Sequence, residues 1–168
     1  LWDPDDGVLW WVDILAHELW HWDSMSGRTE GRPLPVQASA LGLRAGGGLL
    51  MTAREGVGVF DVNAWSFDLR IAPERDRTDN RSNDGHIGAD GALWFGTMHN
   101  DGAQISGALY RLDPSWRCTR VIDGWGIANT MLTDANGQRL FVADSIAGKM
   151  SVFDIRGDAL CNERTLFS

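Results

Sequence analysis

Four times along this 168-residue chain, a turn containing glycine leads into a short apolar stretch. The copies are Asp6-Gly7-Val8-Leu9-Trp10-Trp11-Val12-Asp13, Gly47-Gly48-Leu49-Leu50-Met51-Thr52, Asp90-Gly91-Ala92-Leu93-Trp94-Phe95-Gly96-Thr97 and Asn136-Gly137-Gln138-Arg139-Leu140-Phe141-Val142-Ala143-Asp144. Gly7, Gly47, Gly91 and Gly137 are spaced 40, 44 and 46 residues apart. After each copy comes an alternating stretch that ends in a large apolar residue and Asp. These stretches are Leu19-Trp20-His21-Trp22-Asp23, Val57-Gly58-Val59-Phe60-Asp61, Leu109-Tyr110-Arg111-Leu112-Asp113 and Met150-Ser151-Val152-Phe153-Asp154. Period-2 alternation bounded by Asp, Gly and Asn is the signature of a β-hairpin.

Repeats of about 40 to 50 residues, each holding several short strands, predict an all-β chain of the β-propeller type. A β-sandwich would also supply many strands, but it does not predict repeated copies of one hairpin. No window shows helical periodicity with a cap and a stop. At about 45 residues per blade, the chain has room for fewer than four blades. An open propeller leaves bare sheet edges. Residues 1–168 are therefore expected to be one partial propeller domain that lacks its N-terminal start and its later blades.

Composition removes two partner classes. Asp and Glu number 23 against 15 Lys and Arg, for a net charge of −8 and no basic cluster, which excludes phosphate-backbone binding. No apolar run reaches the roughly 18 to 20 residues of a membrane span. Cys118 and Cys161 lack a C-x-x-C spacing, and two free thiols in a reducing compartment is the simpler reading beside one disulfide. The working location is cytoplasmic, with a signal peptide left open because the chain starts at Leu1 without a leader.

The chemistry concentrates between Asn80 and Met98. Asn80-Arg81-Ser82-Asn83-Asp84-Gly85 places a guanidinium, carboxamides and a carboxylate just before the third repeat. Polar groups at a strand end suit a polyhydroxylated ligand. Each residue also has a plainer role. Arg81 has Asp76, Asp79 and Asp84 as surface ion-pair partners, and Asn83 and Asp84 suit an Asx turn ahead of Gly85. His17 and His21 have the spacing of a helical metal pair, but they lie in an alternating strand segment where that geometry does not arise. His86 and His99 flank the polar block as rim candidates. Asp144 ends a strand as Asp13 does and is expected to anchor backbone hydrogen bonds. No Gly-x-Ser-x-Gly elbow is present.

The Arg81-x-Asn83-Asp84-Gly85 motif with Leu93-Trp94-Phe95-Gly96-Thr97-Met98, the Gly107-Ala108-Leu109-Tyr110-Arg111 strand, Asn129 ahead of Ala143-Asp144-Ser145, and Leu1-Trp2-Asp3 with Val12-Asp13 resemble the regucalcin/gluconolactonase family of sugar-lactone lactonases. The similarity runs through essentially the whole chain. It implies a six-bladed propeller in the complete protein and hydrolysis of an aldonolactone to the aldonic acid. It also implies one divalent metal ion (calcium, zinc, manganese or magnesium) that polarises the lactone carbonyl. Arg81, Asn83 and Asp101 would contact the sugar, and Asn129 would ligate the metal. The other implied ligands, a Glu before Leu1 and an Asp after Ser168, fall outside the chain, and no base is assigned within it. One carboxamide oxygen does not hold a hard cation alone, so the isolated chain is expected to bind metal weakly and to be inactive. Thr130 follows Asn129 where the family more often has Gly, a departure expected to alter the local turn. The alternative function is a non-catalytic propeller that serves as a binding or calcium-binding regulatory module.

Overall fold

A computed structural model describes residues 1–168 as sixteen strands without a helix. They form four antiparallel sheets, each a meander of four consecutive strands, and fall into two compact units, Leu1–Ala72 and Pro73–Ser168. The first unit holds β1 (Trp2–Asp3), β2 (Val8–Asp13), β3 (Glu18–Asp23) and β4 (Thr29–Pro33) in one sheet. Its second sheet is β5 (Ala38–Leu43), β6 (Leu49–Ala53), β7 (Gly56–Asp61) and β8 (Ser66–Ile71). The second unit holds β9 (Asn80–Ile87), β10 (Leu93–His99), β11 (Gly107–Leu112) and β12 (Cys118–Trp125), then β13 (Ala128–Thr133), β14 (Arg139–Asp144), β15 (Lys149–Arg156) and β16 (Ala159–Phe167).

The four repeated hairpins are the middle two strands of the four sheets. Their turn glycines all take left-handed backbone: φ is +66° at Gly7, +80° at Gly47, +77° at Gly91 and +64° at Gly137. A side chain there would be strained, which is why the repeat carries Gly. Strand-terminal aspartates close other turns: Asp13 Oδ1 accepts from the amides of Leu15 and Ala16, and Asp61 Oδ1 from those of Asn63 and Ala64. Spacing alone left fewer than four blades, whereas the structure has four four-stranded sheets. The sheets fit because β1 keeps only two residues and because Arg54 and Glu55 alone join β6 to β7.

Alternation decides the cores. In the first unit Leu19, Leu34, Ala38, Leu49, Met51 and Phe60 form one buried cluster, with Trp10 and Val12 packed against it. The opposite face of the first sheet carries Trp2, Leu9, Trp11 and Trp22, which are 36–47% exposed. In the second unit Trp94, Leu109, Trp125, Met131, Leu140, Val142 and Phe153 join both sheets in one cluster. Each fully buried Leu or Phe contributes about 1.5–3 kcal/mol. Arg111 ties the same two sheets with ion pairs to Asp90 and Asp158, both at 2.7 Å. Cys118 and Cys161 are free thiols, and no helix is long and apolar enough to cross a membrane.

Candidate active site on two bulged strands

In the second unit, the first strands of the two sheets, β9 and β13, each carry an irregularity. Ser82 pairs with Thr97 and Asp84 with Gly96, so Asn83 is an extra residue in β9. In β13, Asn129 pairs with Ala143 and Leu132 with Phe141, so three steps on one strand oppose two on its partner. Thr130 lies within that bulge at φ +53°, a conformation disfavoured for a β-branched residue. The sequence departure at Thr130 thus coincides with strained backbone.

Gly96 lets the strands approach. A Cβ on Gly96 would lie 2.1 Å from the Ala128 Cβ, so only glycine fits without movement. Across this contact runs a directional hydrogen-bonded chain. Arg81 Nη1 donates to Asn83 Oδ1 at 2.9 Å, and Asn83 Nδ2 donates to Asn129 Oδ1 at 2.8 Å. Asn129 Nδ2 in turn donates to Ser145 Oγ at 2.8 Å. A second bond from Asn83 Nδ2 reaches the Ala128 carbonyl at 2.8 Å. Three of the residues singled out in the sequence, Arg81, Asn83 and Asn129, are therefore joined, and Ser145 completes the line.

Arg81 is 9% exposed and forms no ion pair with any of its sequence neighbours Asp76, Asp79 and Asp84. Its two hydrogen bonds, to the Ser82 carbonyl and to Asn83, both leave Nη1 for neutral oxygens, and its buried Nε has no partner. Burial pushes its pKa down from the usual guanidinium value. A buried cation with spare donors is well suited to an oxygen-rich ligand.

The neighbouring residues are mostly architectural. Asp84 accepts from the Gly85 amide at 2.8 Å and, through its other oxygen, from the Met131 amide at 3.4 Å, which clamps one bulge to the other. Asp144 accepts backbone bonds from Gly126, Ile127, Ile146 and Ala147, as an anchor would. His86 Nε2 lies 3.2 Å from Thr133 Oγ1, with its pKa lowered by burial. His17 sits in a turn at φ +56°, and the His21 ring lies 5.1 Å from that of Trp10.

Asp101 stands apart from the Arg81 line. It is 66% exposed on the segment between β10 and β11, and it accepts from the Ala103 amide at 2.8 Å and pairs with His99 Nδ1. The Ala103 amide, then His99, holds its carboxyl below the usual carboxylate range. The segment lies at the same end of the unit as the line, because a Cβ on Gly102 would be 3.6 Å from Ile127, two residues before Asn129.

The donor set does not make a divalent-ion site by itself. No group of three or more His, Cys, Asp or Glu converges anywhere in the 168 residues, and Asn129 Oδ1 already accepts the Asn83 amide. What the arrangement offers is a buried cation and a row of fixed carboxamides, suited to orienting hydroxyl and carbonyl oxygens.

Four-stranded meander sheets repeated in this way define a β-propeller chain. All residues, 1–168, match the family model described as the SMP-30/Gluconolactonase/LRE-like region, and the chain belongs to that family. A putative sugar lactone lactonase of Rhizobium meliloti (strain 1021) is 31% identical over 153 residues, which cover 91% of this chain and 51% of that protein. A 6-deoxy-6-sulfogluconolactonase of Pseudomonas putida is 29% identical over 70% of this chain and 40% of its own length. Among solved structures, a regucalcin from Agrobacterium tumefaciens described as a calcium-binding protein superposes with a TM-score of 0.90 at 26% identity, over 98% of this chain and 56% of that one. The chain spans about half the length of the relatives it matches.

Proposed function

We propose that the complete protein hydrolyses a sugar lactone, an aldonolactone, to the open aldonic acid, with residues 1–168 contributing part of one propeller domain. The observation that carries this reading is the Arg81–Asn83–Asn129 line across β9 and β13, which starts from a buried cation and continues through half-buried carboxamides. Lactonase names among the relatives support it. In the reaction a water oxygen adds to the lactone carbonyl carbon and the ring C–O bond breaks. The ring oxygen leaves as a hydroxyl after taking up a proton. Arg81 and Asn83 orient ring oxygens of the substrate, and Asp101 approaches from the loop above Ile127. Donors held in place before the substrate arrives cost little to organise at the moment of reaction.

Asn129 is the one metal ligand we assign to this chain, and the 168 residues alone are inactive and bind calcium or zinc more weakly than micromolar. No base is assigned among them, and a bound ion would polarise the lactone carbonyl. A second reading, a calcium-binding regulatory module without catalysis, is supported by the likeness to the regucalcin described as a calcium-binding protein.

The deciding experiment follows acid release by pH-stat from several aldonolactones with the complete protein, with and without chelator. Chelator-sensitive hydrolysis is expected, and Arg81→Ala lowers kcat/KM by about 100-fold. An unchanged kcat/KM removes Arg81 from the site. Absence of hydrolysis with every lactone favours the binding module.

A further inference from the structure

The buried carboxylate of Glu74 was not singled out by any sequence motif, and its surroundings are unlike those of the other acids. Its side chain is 8% exposed in the connection that leads into β9. Oε1 accepts from Tyr110 Oη at 2.5 Å and Thr97 Oγ1 at 3.1 Å, and Oε2 accepts from Asn80 Nδ2 at 2.5 Å. Arg77 lies 3.9 Å away but gives its bidentate bond to Asp123, at 2.7 and 2.9 Å.

A carboxylate only accepts, so Asn80 must turn its amide nitrogen towards Glu74. That orientation sets the rest of a directional circuit. The second Nδ2 hydrogen goes to the Ser106 carbonyl at 2.9 Å, which leaves Asn80 Oδ1 to accept Ser106 Oγ at 2.6 Å. Arg77 Nη1 donates to the same Ser106 carbonyl at 3.0 Å. At the other end of the segment the Asn100 amide donates to the Asp79 carbonyl at 2.8 Å. The segment from His99 to Ser106, which carries Asp101, is therefore fastened at both ends to residues that immediately precede Arg81.

We propose that Glu74 is a positioning residue: by orienting Asn80, its charge fastens Ser106 and sets the pose of the Asp101 segment over the Arg81–Asn83–Asn129 line. This rests on the lactonase reading for its link to substrate, while the fastening itself does not. In Glu74→Gln one oxygen becomes a donor. With the remaining oxygen kept on Tyr110 and Thr97, two amide nitrogens face each other, Asn80 rotates to present Oδ1, its bond to the Ser106 carbonyl is lost, and the Ser106 hydroxyl must turn from donor to acceptor. Ser106→Ala removes the hydroxyl bond to Asn80 Oδ1 without touching the buried acid.

The test uses the complete protein, with hydrogen exchange and steady-state lactone kinetics on both variants. Amides of residues 100–105 are expected to exchange about tenfold faster in both, while those of β10 and β11 stay as they are. KM rises about tenfold with kcat within about threefold of the parent. Unchanged exchange at 100–105 in Ser106→Ala overturns the fastening, whatever Glu74→Gln does to folding. Faster exchange with unchanged KM, or a fall in kcat alone, overturns the positioning role. If the parent protein hydrolyses no lactone, the functional reading fails, while the exchange data still decide the fastening.

Discussion

The strands β5 and β9 occupy the same place in successive sheets, and both are bulged, yet only one of them joins the candidate site. In β5 the extra residue is Ser39, between the pairs Ala38–Ala53 and Ala40–Thr52. Its hydroxyl lies 2.9 Å from Thr52 Oγ1, which also accepts the Ala40 amide at 3.0 Å, so the bulge is closed within its own sheet. In β9 the extra residue is Asn83, and at the step from the turn glycine where β6 has Thr52, β10 has Gly96. With no side chain there, the bulge is not closed internally, and Asn83 reaches Asn129 on the next sheet instead. The scaffold supplies a recurring irregularity, and the residue opposite decides whether it is sealed within its own sheet or reaches the next one.

The largest effect is expected where the comparison is most direct. Asn83→Ala in the complete protein leaves Arg81 Nη1, Asn129 Oδ1 and the Ala128 carbonyl each short of a partner, and lowers kcat/KM by about 100-fold. Ser39→Ala, at the sealed bulge, leaves kcat/KM within about twofold. Lactone kinetics on both variants decide the matter. Equal losses would mean that bulges matter to stability here and that Asn83 has no special place.

A smaller effect tests the opening itself. Gly96→Ala puts a methyl 2.1 Å from the Ala128 Cβ, a collision between two backbone-attached atoms that only a shift of β13 relieves. Destabilisation of about 1–3 kcal/mol is expected from such overpacking, read as a lower midpoint in urea. Ala128→Gly in the same chain should restore most of it, since the two positions share one contact. A Gly96→Ala variant as stable as the parent would show that the close approach is not what draws β13 to β10.

What the sequence disclosed follows from how each feature is encoded. The middle hairpins were legible because the glycines at left-handed φ and the alternating apolar residues are local and recur. The flanking strands were not: β4, Thr29–Pro33, is exposed along its whole length, so burial imposes no pattern on it. Arg81, Asn83 and Asn129 were legible as a group only through the family resemblance, because the pairing of β9 with β13 is a tertiary fact. Asp101 was placed on the same motif, but its neighbours are His99 and Ala103 rather than Arg81. Glu74 left no trace at all, since its partners Asn80, Thr97 and Tyr110 come from three different strands.

The smallest effect concerns the second bulge, where the two irregular strands of the site differ. Neither Ser39 nor Asn83 has positive φ, but Thr130 is held at +53° beside Asn129. For a β-branched residue that conformation costs about 1–2 kcal/mol, part of which glycine returns as extra freedom of the unfolded chain. Thr130→Gly should therefore stabilise the chain by about 0.5–1 kcal/mol, a rise of a few degrees in Tm. The strain persists because Asp84 holds the Met131 amide and Asn129 is tied to both Asn83 and Ser145. If the threonine helps to hold Asn129 in line, Thr130→Gly will gain stability and still lose several-fold in kcat/KM, less than Asn83→Ala. A lower Tm would show that the threonine is at ease in this turn and that β13 stores no strain beside its carboxamide.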